Sequence, residues 1–244
     1  VRHLADEVTV VTADAEYPAS HEHNGVWVAV LPGDTVPDYR LRIRYGDTTT
    51  VVDDPYRFLP FVGELDQHLF SEGRLEELWR TLGAHRKHLS GSMGDVDGVA
   101  FAVWAPNARA VRVVGDFNYW DGSGSSMRSL GSSGIWELFI PDVQIGARYR
   151  FEIQGPEGNW FQKADPLANA TEVPPATASV VTHSEYEWED EEWLTKRAET
   201  NVHEGPISIY ECHIGSWKQG LSYRDLAAEM VPYLLEMGYT HVEF

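Results

Sequence analysis

The run FAVWAPNA at 101–108 and the run VVGDFNYWDG at 113–122 decide how the middle of this chain folds. Each is a short apolar segment that stops at a turn signal, Pro106-Asn107 in the first and Gly115-Asp116 in the second. Short apolar runs bounded by turn residues are typical of buried β-strands. Both runs therefore predict strands that are connected by turns.

The sequence after these runs continues the pattern. Segments 135–140 and 149–153 place apolar side chains at every second position, and no convincing helix separates them. Short strands with turn signals between them indicate an antiparallel sandwich. We therefore predict that 98–183 forms one β-sandwich.

The segment before it, 1–88, contains the clearest alternation in the chain. Apolar or aromatic residues interleave with arginines over 39–45, and a β-branched run follows at 48–52, which predicts two strands. An apolar spacing of i, i+3, i+4 and i+7 predicts a helix that ends near Gly83. Its residues are Leu75, Leu78, Trp79 and Leu82. We predict an N-terminal β-sandwich module with a terminal helix over 1–88.

The last part of the chain differs from the rest in its charge and in its pattern of apolar residues. Six acidic residues lie within 185–192, so 184–205 is interpreted as an acidic linker. Over 206–244 a strand pattern is followed by a helix that Ser222 and Asp225 cap, and then by a second strand pattern. This order predicts a parallel β-α-β unit. Because one such unit cannot cover both faces of its sheet, we expect it to belong to a larger α/β domain.

Composition excludes several classes of partner. The 244 residues carry a formal net charge of −19, which disfavours nucleic acid and anionic membrane surfaces. Nine Trp, eleven Tyr and nine Phe supply flat apolar rings, on which neutral sugars are commonly bound. The charge imposes no penalty on a neutral ligand of that kind.

Further features concern the compartment and cofactors. The lone Cys212 excludes an internal disulfide and fits a reducing, cytoplasmic compartment. No run approaches the roughly 20 apolar residues of a membrane span, and the start has no apolar signal-peptide core. The histidine pairs His21/His23 and His85/His88 do not form a four-ligand zinc set, and no phosphate-binding glycine loop is present. We expect no metal and no cofactor.

Three groups of residues resemble known families. The first resembles the N-terminal module of bacterial glycogen branching enzymes and lies at 55–60, 63–66 and 72–85. The second resembles the family-48 carbohydrate-binding module and lies at 101–108, 114–122, 149–153 and 163–166. The third resembles the beginning of the catalytic barrel of glycoside hydrolase family 13 and lies at 209–217 and 237–243.

The resemblance implies a mainly β fold. Two tandem immunoglobulin-like antiparallel β-sandwiches would be followed by the first β-α-β of a truncated (β/α)8 barrel. It also implies an enzyme that cleaves α-1,4-glucan and transfers the cut chain to a 6-hydroxyl, which forms an α-1,6 branch. The implied partners are glycogen, amylose and malto-oligosaccharides, together with the rest of the barrel domain.

No catalytic residue is assigned. Retaining chemistry needs two carboxyl groups about 5 Å apart, and no position here matches the family's catalytic carboxylate motifs. Glu211 and Glu243 lie on predicted strands but do not match them either. We expect the 244-residue chain alone to be inactive.

The resemblance does imply a glucan-binding site. Trp120 matches the position of an aromatic residue that stacks on a sugar ring, and its neighbours Asn118 and Tyr119 could bond hydroxyl groups. Trp160 is the nearest candidate for a second aromatic contact. Arg150 takes the place of a basic residue on the strand and alternates with the inward-facing side chains there, so it would point outward.

Two alternatives remain open. Trp120 and Trp160 could be structural, Arg150 could be a solvated surface residue, and the sandwiches could serve only as a scaffold that braces the barrel. A related family-13 debranching hydrolase would share the same covalent intermediate, so the chemistry implied here does not separate it from a branching enzyme.

Overall fold

The computed structural model describes residues 2–201 and 203–244, so Val1 and Val202, which the segment assignments above include, lie outside it. The chain divides into a larger unit that ends at Ser184 and a smaller unit, Glu185–Phe244. Among the described residues, no helix is both long enough and apolar enough to cross a membrane.

The larger unit is mainly β. Its first strands are β1 (Glu7–Val11), β2 (Glu16–Pro18), β3 (Ser20–His21), β4 (Trp27–Val28), β5 (Arg40–Tyr45) and β6 (Thr48–Val52). The helix α1 (Glu64–Ser71) follows. The remaining strands are β7 (Gly83–Leu89), β8 (Val96–Trp104), β9 (Ala110–Gly115), β10 (Arg128–Ser129), β11 (Ile135–Pro141), β12 (Arg148–Gln154), β13 (Trp160–Lys163) and β14 (Ser179–Val180).

The first sheet has the order β2-β1-β5-β6 and is antiparallel. Ile43 of β5 lies opposite Val8 of β1, and both are buried. On the other face Arg42 forms an ion pair with Glu16. The strands predicted over 39–45 and 48–52 are therefore confirmed, because their alternation separates a buried face from a solvated one.

The middle segment forms a sandwich of two antiparallel sheets. One has the order β10-β11-β8-β7, and in the other β12 pairs with β9, β13 and β14. Side chains from both sheets meet in one buried cluster that includes Phe101, Val113, Leu138 and Phe151, each fully buried. This confirms the antiparallel sandwich predicted for that part of the chain.

The helix predicted over 75–82 is wrong. The α-helix of this region is α1, and Gly73, at φ 69°, adopts a left-handed conformation just after its end. Only a single 3-10 turn, Leu78–Arg80, falls within the predicted helix. Leu78 and Leu82 instead pack against the sandwich in a cluster with Ile135. Their apolar spacing therefore reflects burial against a sheet and not one face of a helix.

Strand β7 lies in the sandwich rather than in the first sheet. It pairs with β8 along its whole length, from Gly83 opposite Ala102 to Leu89 opposite Val96. Residues 83–88, which the sequence assigned to the first module, are therefore an edge strand of the second.

Strand β11 is buried on both faces, because the chain that includes Phe61 and Val62 covers its outer side. The covered side chains include Glu137, which is only 1% exposed. Its Oε1 accepts a hydrogen bond from the amide of Phe61 at 2.9 Å, whereas Oε2 is buried without a hydrogen-bond partner among the described residues. Burial raises the pKa of this carboxyl above its ordinary value.

The smaller unit contains α2 (Glu191–Glu199), β15 (Ile209–Glu211), α3 (Ile214–Trp217), α4 (Tyr223–Met237) and β16 (His241–Glu243). Strands β15 and β16 are parallel, with Ile209 opposite His241. Ser222 and Asp225 form the predicted capping box, and Gly238 ends α4 in a left-handed conformation. The predicted strand, helix and parallel strand are confirmed. The helix α2 lies within the stretch interpreted as an acidic linker.

Candidate functional site

The candidate site lies on the sandwich sheet formed around β12. Alternate residues of β12 point to opposite sides of the sheet, and Tyr149 and Phe151 point into the core, where both are fully buried. The side chains on the opposite side, together with their neighbours on β9 and β13, form what we call the outer face. Its members are Arg112, Arg150, Glu152, Gln154 and Trp160.

Trp160 lies on the outer face beneath a guanidinium group. The Cζ atom of Arg112 is 4.1 Å from the centroid of the Trp160 ring, and Nη1 of Arg112 is 3.5 Å from Oε2 of Glu152. Trp160 is 36% exposed. A cation stacked on the ring is a favourable contact, and it occupies one of the two ring faces that a sugar could use.

The loop after β9 reverses sharply and returns over the sheet. Gly115 has no room for a side chain, because a Cβ atom there would lie 2.3 Å from the carbonyl oxygen of Arg148. Tyr119 and Trp120 follow in the left-handed region, at φ 53° and 62°. The amide of Trp120 then donates to the carbonyl of Gly115 at 3.0 Å, which closes the loop.

This closure brings Trp120 to Arg150. The guanidinium carbon of Arg150 lies 6.0 Å from the centroid of the Trp120 ring, at the outer limit of a cation–π contact. The indole Nε1 donates to Oδ1 of Asp116 at 3.3 Å. The structure therefore brings together two of the residues singled out in the sequence and adds Asp116 to them.

Asn118 is engaged within the loop itself. Its Nδ2 donates to the carbonyl of Val113 at 2.9 Å and to Oγ of Ser125 at 3.0 Å, and its Oδ1 accepts from the amide of Gly115 at 2.9 Å. Both donor hydrogens are used internally, so this side chain shapes the loop that carries Trp120.

Tyr119, unlike the internally bonded Asn118, is 94% exposed. It lies between the engaged Asn118 and the half-buried Trp120. Its phenol ring is therefore presented to solvent at the tip of the loop.

An ionic network that sequence reasoning missed supports the site. Asp116 accepts from the amide, Nε and Nη2 of Arg148 at 2.9–3.0 Å, and these bonds hold the pKa of the Asp116 carboxyl below its usual range. Nη1 of Arg148 lies 3.4 Å from Oε1 of Glu172. Thr177 accepts from Nη2 of Arg150 at 2.5 Å. The pairing of Tyr149 with Gly115 sets Asp116 and Arg148 side by side.

A buried polar pair fixes the end of β13. The hydroxyl of Tyr149 donates to Oδ2 of Asp165 at 2.6 Å, and the amide of Leu167 donates to Oδ1 of Asp165 at 2.8 Å. Burial raises the pKa of Asp165. The pair anchors the turn after β13 to the core and thereby helps to fix the strand that carries Trp160.

Two carboxylate residues of the smaller unit lie on its paired strands. Glu211 and Glu243 are register partners on β15 and β16, and no catalytic role is assigned to either. In the ranges 2–201 and 203–244, no three His, Cys, Asp or Glu side chains are arranged to hold a metal ion.

An antiparallel sandwich with Trp160 and two arginines on one sheet, and Trp120 on the loop that follows β9, defines a candidate carbohydrate-binding module. The family model "Carbohydrate-binding module 48 (Isoamylase N-terminal domain)" matches residues 81–168. The model "alpha-1,4-glucan branching enzyme GlgB, N-terminal domain" matches residues 1–56.

The comparison with curated proteins identifies the family. The chain is 58% identical to the 1,4-alpha-glucan branching enzyme GlgB of Thermobifida fusca, over 100% of this chain and 33% of the relative. It is 56% identical to GlgB of Frankia casuarinae, over 98% of this chain and 30% of the relative, and 52% identical to GlgB 1 of Streptomyces coelicolor, over 99% and 31%. The chain belongs to the GlgB branching-enzyme family, as the resemblance implied, and spans about a third of the length of these relatives.

Proposed function

We propose that the sandwich binds α-glucan chains through Trp120, Arg150 and Trp160, as the binding part of an enzyme that introduces α-1,6 branches. The observation that carries this proposal is the placement of Trp120 beside Arg150, at 6.0 Å, with Trp160 on the outer face of the same sheet. The apolar face of a glucose ring stacks on indole, and a guanidinium group donates to hydroxyl oxygens.

The match to a carbohydrate-binding module supports this assignment at the level of the ligand class. The acidity of the chain, with a net charge of −19, does not oppose a neutral polysaccharide. In this proposal the sandwich retains and orients a glucan. Cleavage of the α-1,4 bond and transfer to a 6-hydroxyl are assigned to catalytic residues of the longer enzyme, and we propose none in this chain.

The finer architecture belongs to the same proposal. The first segment would be a second immunoglobulin-like sandwich, and β15, α4 and β16 would be the first β-α-β of a catalytic barrel, with its remaining elements as partner. The parallel pairing of β15 with β16 supports the barrel assignment. A cytoplasmic location fits an enzyme of intracellular glucan storage.

Affinity electrophoresis through gels with and without glycogen tests the binding proposal. The parent chain is expected to be retarded by glycogen, and Trp120→Ala is expected to lose most of that retardation. Trp188→Ala is a matched control, because Trp188 is 74% exposed in the smaller unit. Absence of retardation in the parent contradicts glucan binding by this chain.

A scaffold role is the second candidate. The hydroxyl of Tyr56 donates to the carbonyl of Ser126 at 2.7 Å, and Nη1 of Arg128 donates to the carbonyl of Phe58 at 2.7 Å. These bonds join the first segment to the sandwich within one unit. A chain that is folded but not retarded by glycogen would favour this role. A debranching hydrolase has less support, because the relatives at 50–58% identity are named branching enzymes.

A further inference from the structure

We infer that Asp116, Arg148 and Glu172 position Trp120 for glucan, and that the segment containing Thr177 holds Arg150 at the matching place. We call the first three residues the ionic relay. This inference rests on the proposed function, since it concerns how the same surface is kept ready to bind. The relay residues are positioning residues, and we assign them no contact with the sugar.

Asp116 is the centre of the relay. It accepts the indole hydrogen of Trp120 through Oδ1 at 3.3 Å. It also accepts three bonds from Arg148, two of them from the guanidinium group at 2.9 and 3.0 Å. Bidentate charge-assisted pairs of this kind fix direction as well as distance. The orientation of the Asp116 carboxylate, and so of its bond to the indole, is therefore set by Arg148.

Glu172 extends the relay to a second segment. Its Oε1 lies 3.4 Å from Nη1 of Arg148, and its Oε2 accepts the amide hydrogen of Ala178 at 3.0 Å. Ala178 directly follows Thr177, whose hydroxyl oxygen accepts from Arg150 at 2.5 Å. The relay thus links Asp116, which holds the Trp120 ring, to the segment of Thr177, which holds Arg150.

Trp120 needs such support because its own backbone is unfavourable. A bulky residue at φ 62° occupies the left-handed region at a steric cost, and it lies in a loop rather than a strand. Surface ion pairs contribute little to stability on average. We therefore expect the relay to matter more for the orientation of the indole than for the stability of the fold.

The first test is independent of glucan. The indole Nε1–H resonance of Trp120 can be assigned in an ¹H–¹⁵N spectrum of the chain by its absence in Trp120→Ala. Arg148→Gln is expected to move or broaden this resonance, and Arg148→Lys to do so less. Arg42→Gln is the matched control, because Arg42 forms a bidentate exposed pair with Glu16 at 2.6 Å on the first sheet. An unchanged Trp120 resonance in Arg148→Gln overturns the relay.

The second test measures glycogen affinity by the same electrophoresis. Arg148→Gln and Glu172→Gln are expected to weaken retention by about threefold to tenfold, with a melting temperature within a few degrees of the parent. In the Trp120→Ala background, Arg148→Gln should have no further effect, because coupled residues give non-additive changes. Additive effects, or full retention in Arg148→Gln, overturn the inference even if Trp120→Ala abolishes binding.

The two tests separate the failure of the relay from the failure of the proposed function. If glycogen does not retard the parent, the proposed function fails and the relay loses its glucan role. The indole resonance still decides whether the relay orders Trp120. If the parent binds and Trp120→Ala binds much more weakly, the proposed function holds and the relay variants alone decide the inference.

Discussion

The guanidinium carbon of Arg112 lies 4.1 Å from the centroid of the Trp160 ring, so a cation of the protein itself covers one face of that indole. Trp120 differs, because its neighbour Arg150 is 6.0 Å from the ring centroid. Trp120, on the loop after β9, and Trp160, on the outer face, therefore differ in how freely a sugar can stack on their rings. Sugar stacking on Trp160 must use the other face or displace Arg112.

This inequality predicts unequal losses of affinity. Trp120→Ala should weaken glycogen binding about tenfold, which corresponds to about 1.4 kcal/mol, whereas Trp160→Ala should weaken it about threefold. Dissociation constants from affinity electrophoresis at several glycogen concentrations provide the comparison, with Trp188→Ala as the control. A larger loss for Trp160→Ala than for Trp120→Ala would contradict the ranking.

Asn118 is predicted to act on stability rather than on sugar contact. Asn118→Ala removes three hydrogen bonds inside the loop, and at about 1 kcal/mol each the free energy of unfolding should fall by about 2–3 kcal/mol. Chemical denaturation measures this change. Asn159→Ala, at an exposed position of the same sandwich, should change stability by less than about 0.5 kcal/mol. Equal stability of the parent and Asn118→Ala would refute the assignment.

Tyr119 offers a comparison that isolates backbone strain. Its φ of 53° and its exposure of 94% mean that Tyr119→Gly and Tyr119→Ala both remove a solvent-exposed ring. Only glycine adopts the left-handed region without steric cost, so Tyr119→Gly should be more stable than Tyr119→Ala by about 1 kcal/mol. Thermal unfolding of the two variants decides this. The reverse order would mean that the loop is not held in this conformation.

Local patterns explain how far the sequence predicts the fold. The strands around 39–45 and 149–153 follow from period-2 alternation, and α4 follows from the capping box of Ser222 and Asp225. The helix expected at 75–82 failed because its apolar spacing is satisfied by contact with a sheet distant in sequence. Packing partners of this kind cannot be read from one segment.

The candidate site was likewise predictable from the sequence only where its residues carry local signals. Trp120, Trp160 and Arg150 carry local motif signals, whereas the relay does not. Asp116 and Arg148 lie 32 residues apart and Glu172 lies 24 residues beyond Arg148, so only strand register and loop closure bring them together. Asn118 had a local signal, but the sequence could not show that its donors would be used inside the loop.

The buried carboxyl of Glu137 predicts an unusual dependence of stability on pH. Burial raises its pKa in the folded chain, so the folded state binds this proton more tightly than the unfolded state does. The contribution of Glu137 to stability is therefore fully present below its unfolded pKa and is lost as the pH rises through its folded pKa. Arg128 and Lys87 oppose this effect by favouring the charged form.

Glu137→Gln replaces the titratable carboxyl with a neutral amide and keeps an acceptor for the amide of Phe61. Relative to the parent, this variant should gain stability as the pH rises from the ordinary carboxyl pKa to the raised pKa of Glu137 in the folded chain, at a slope of up to about 1.4 kcal/mol per pH unit. Denaturation at a series of pH values above the sequence pI of about 4.8 measures the difference. Glu157→Gln, at an exposed position, should show a flat difference. A flat or falling difference for Glu137→Gln would mean that burial does not govern this carboxyl.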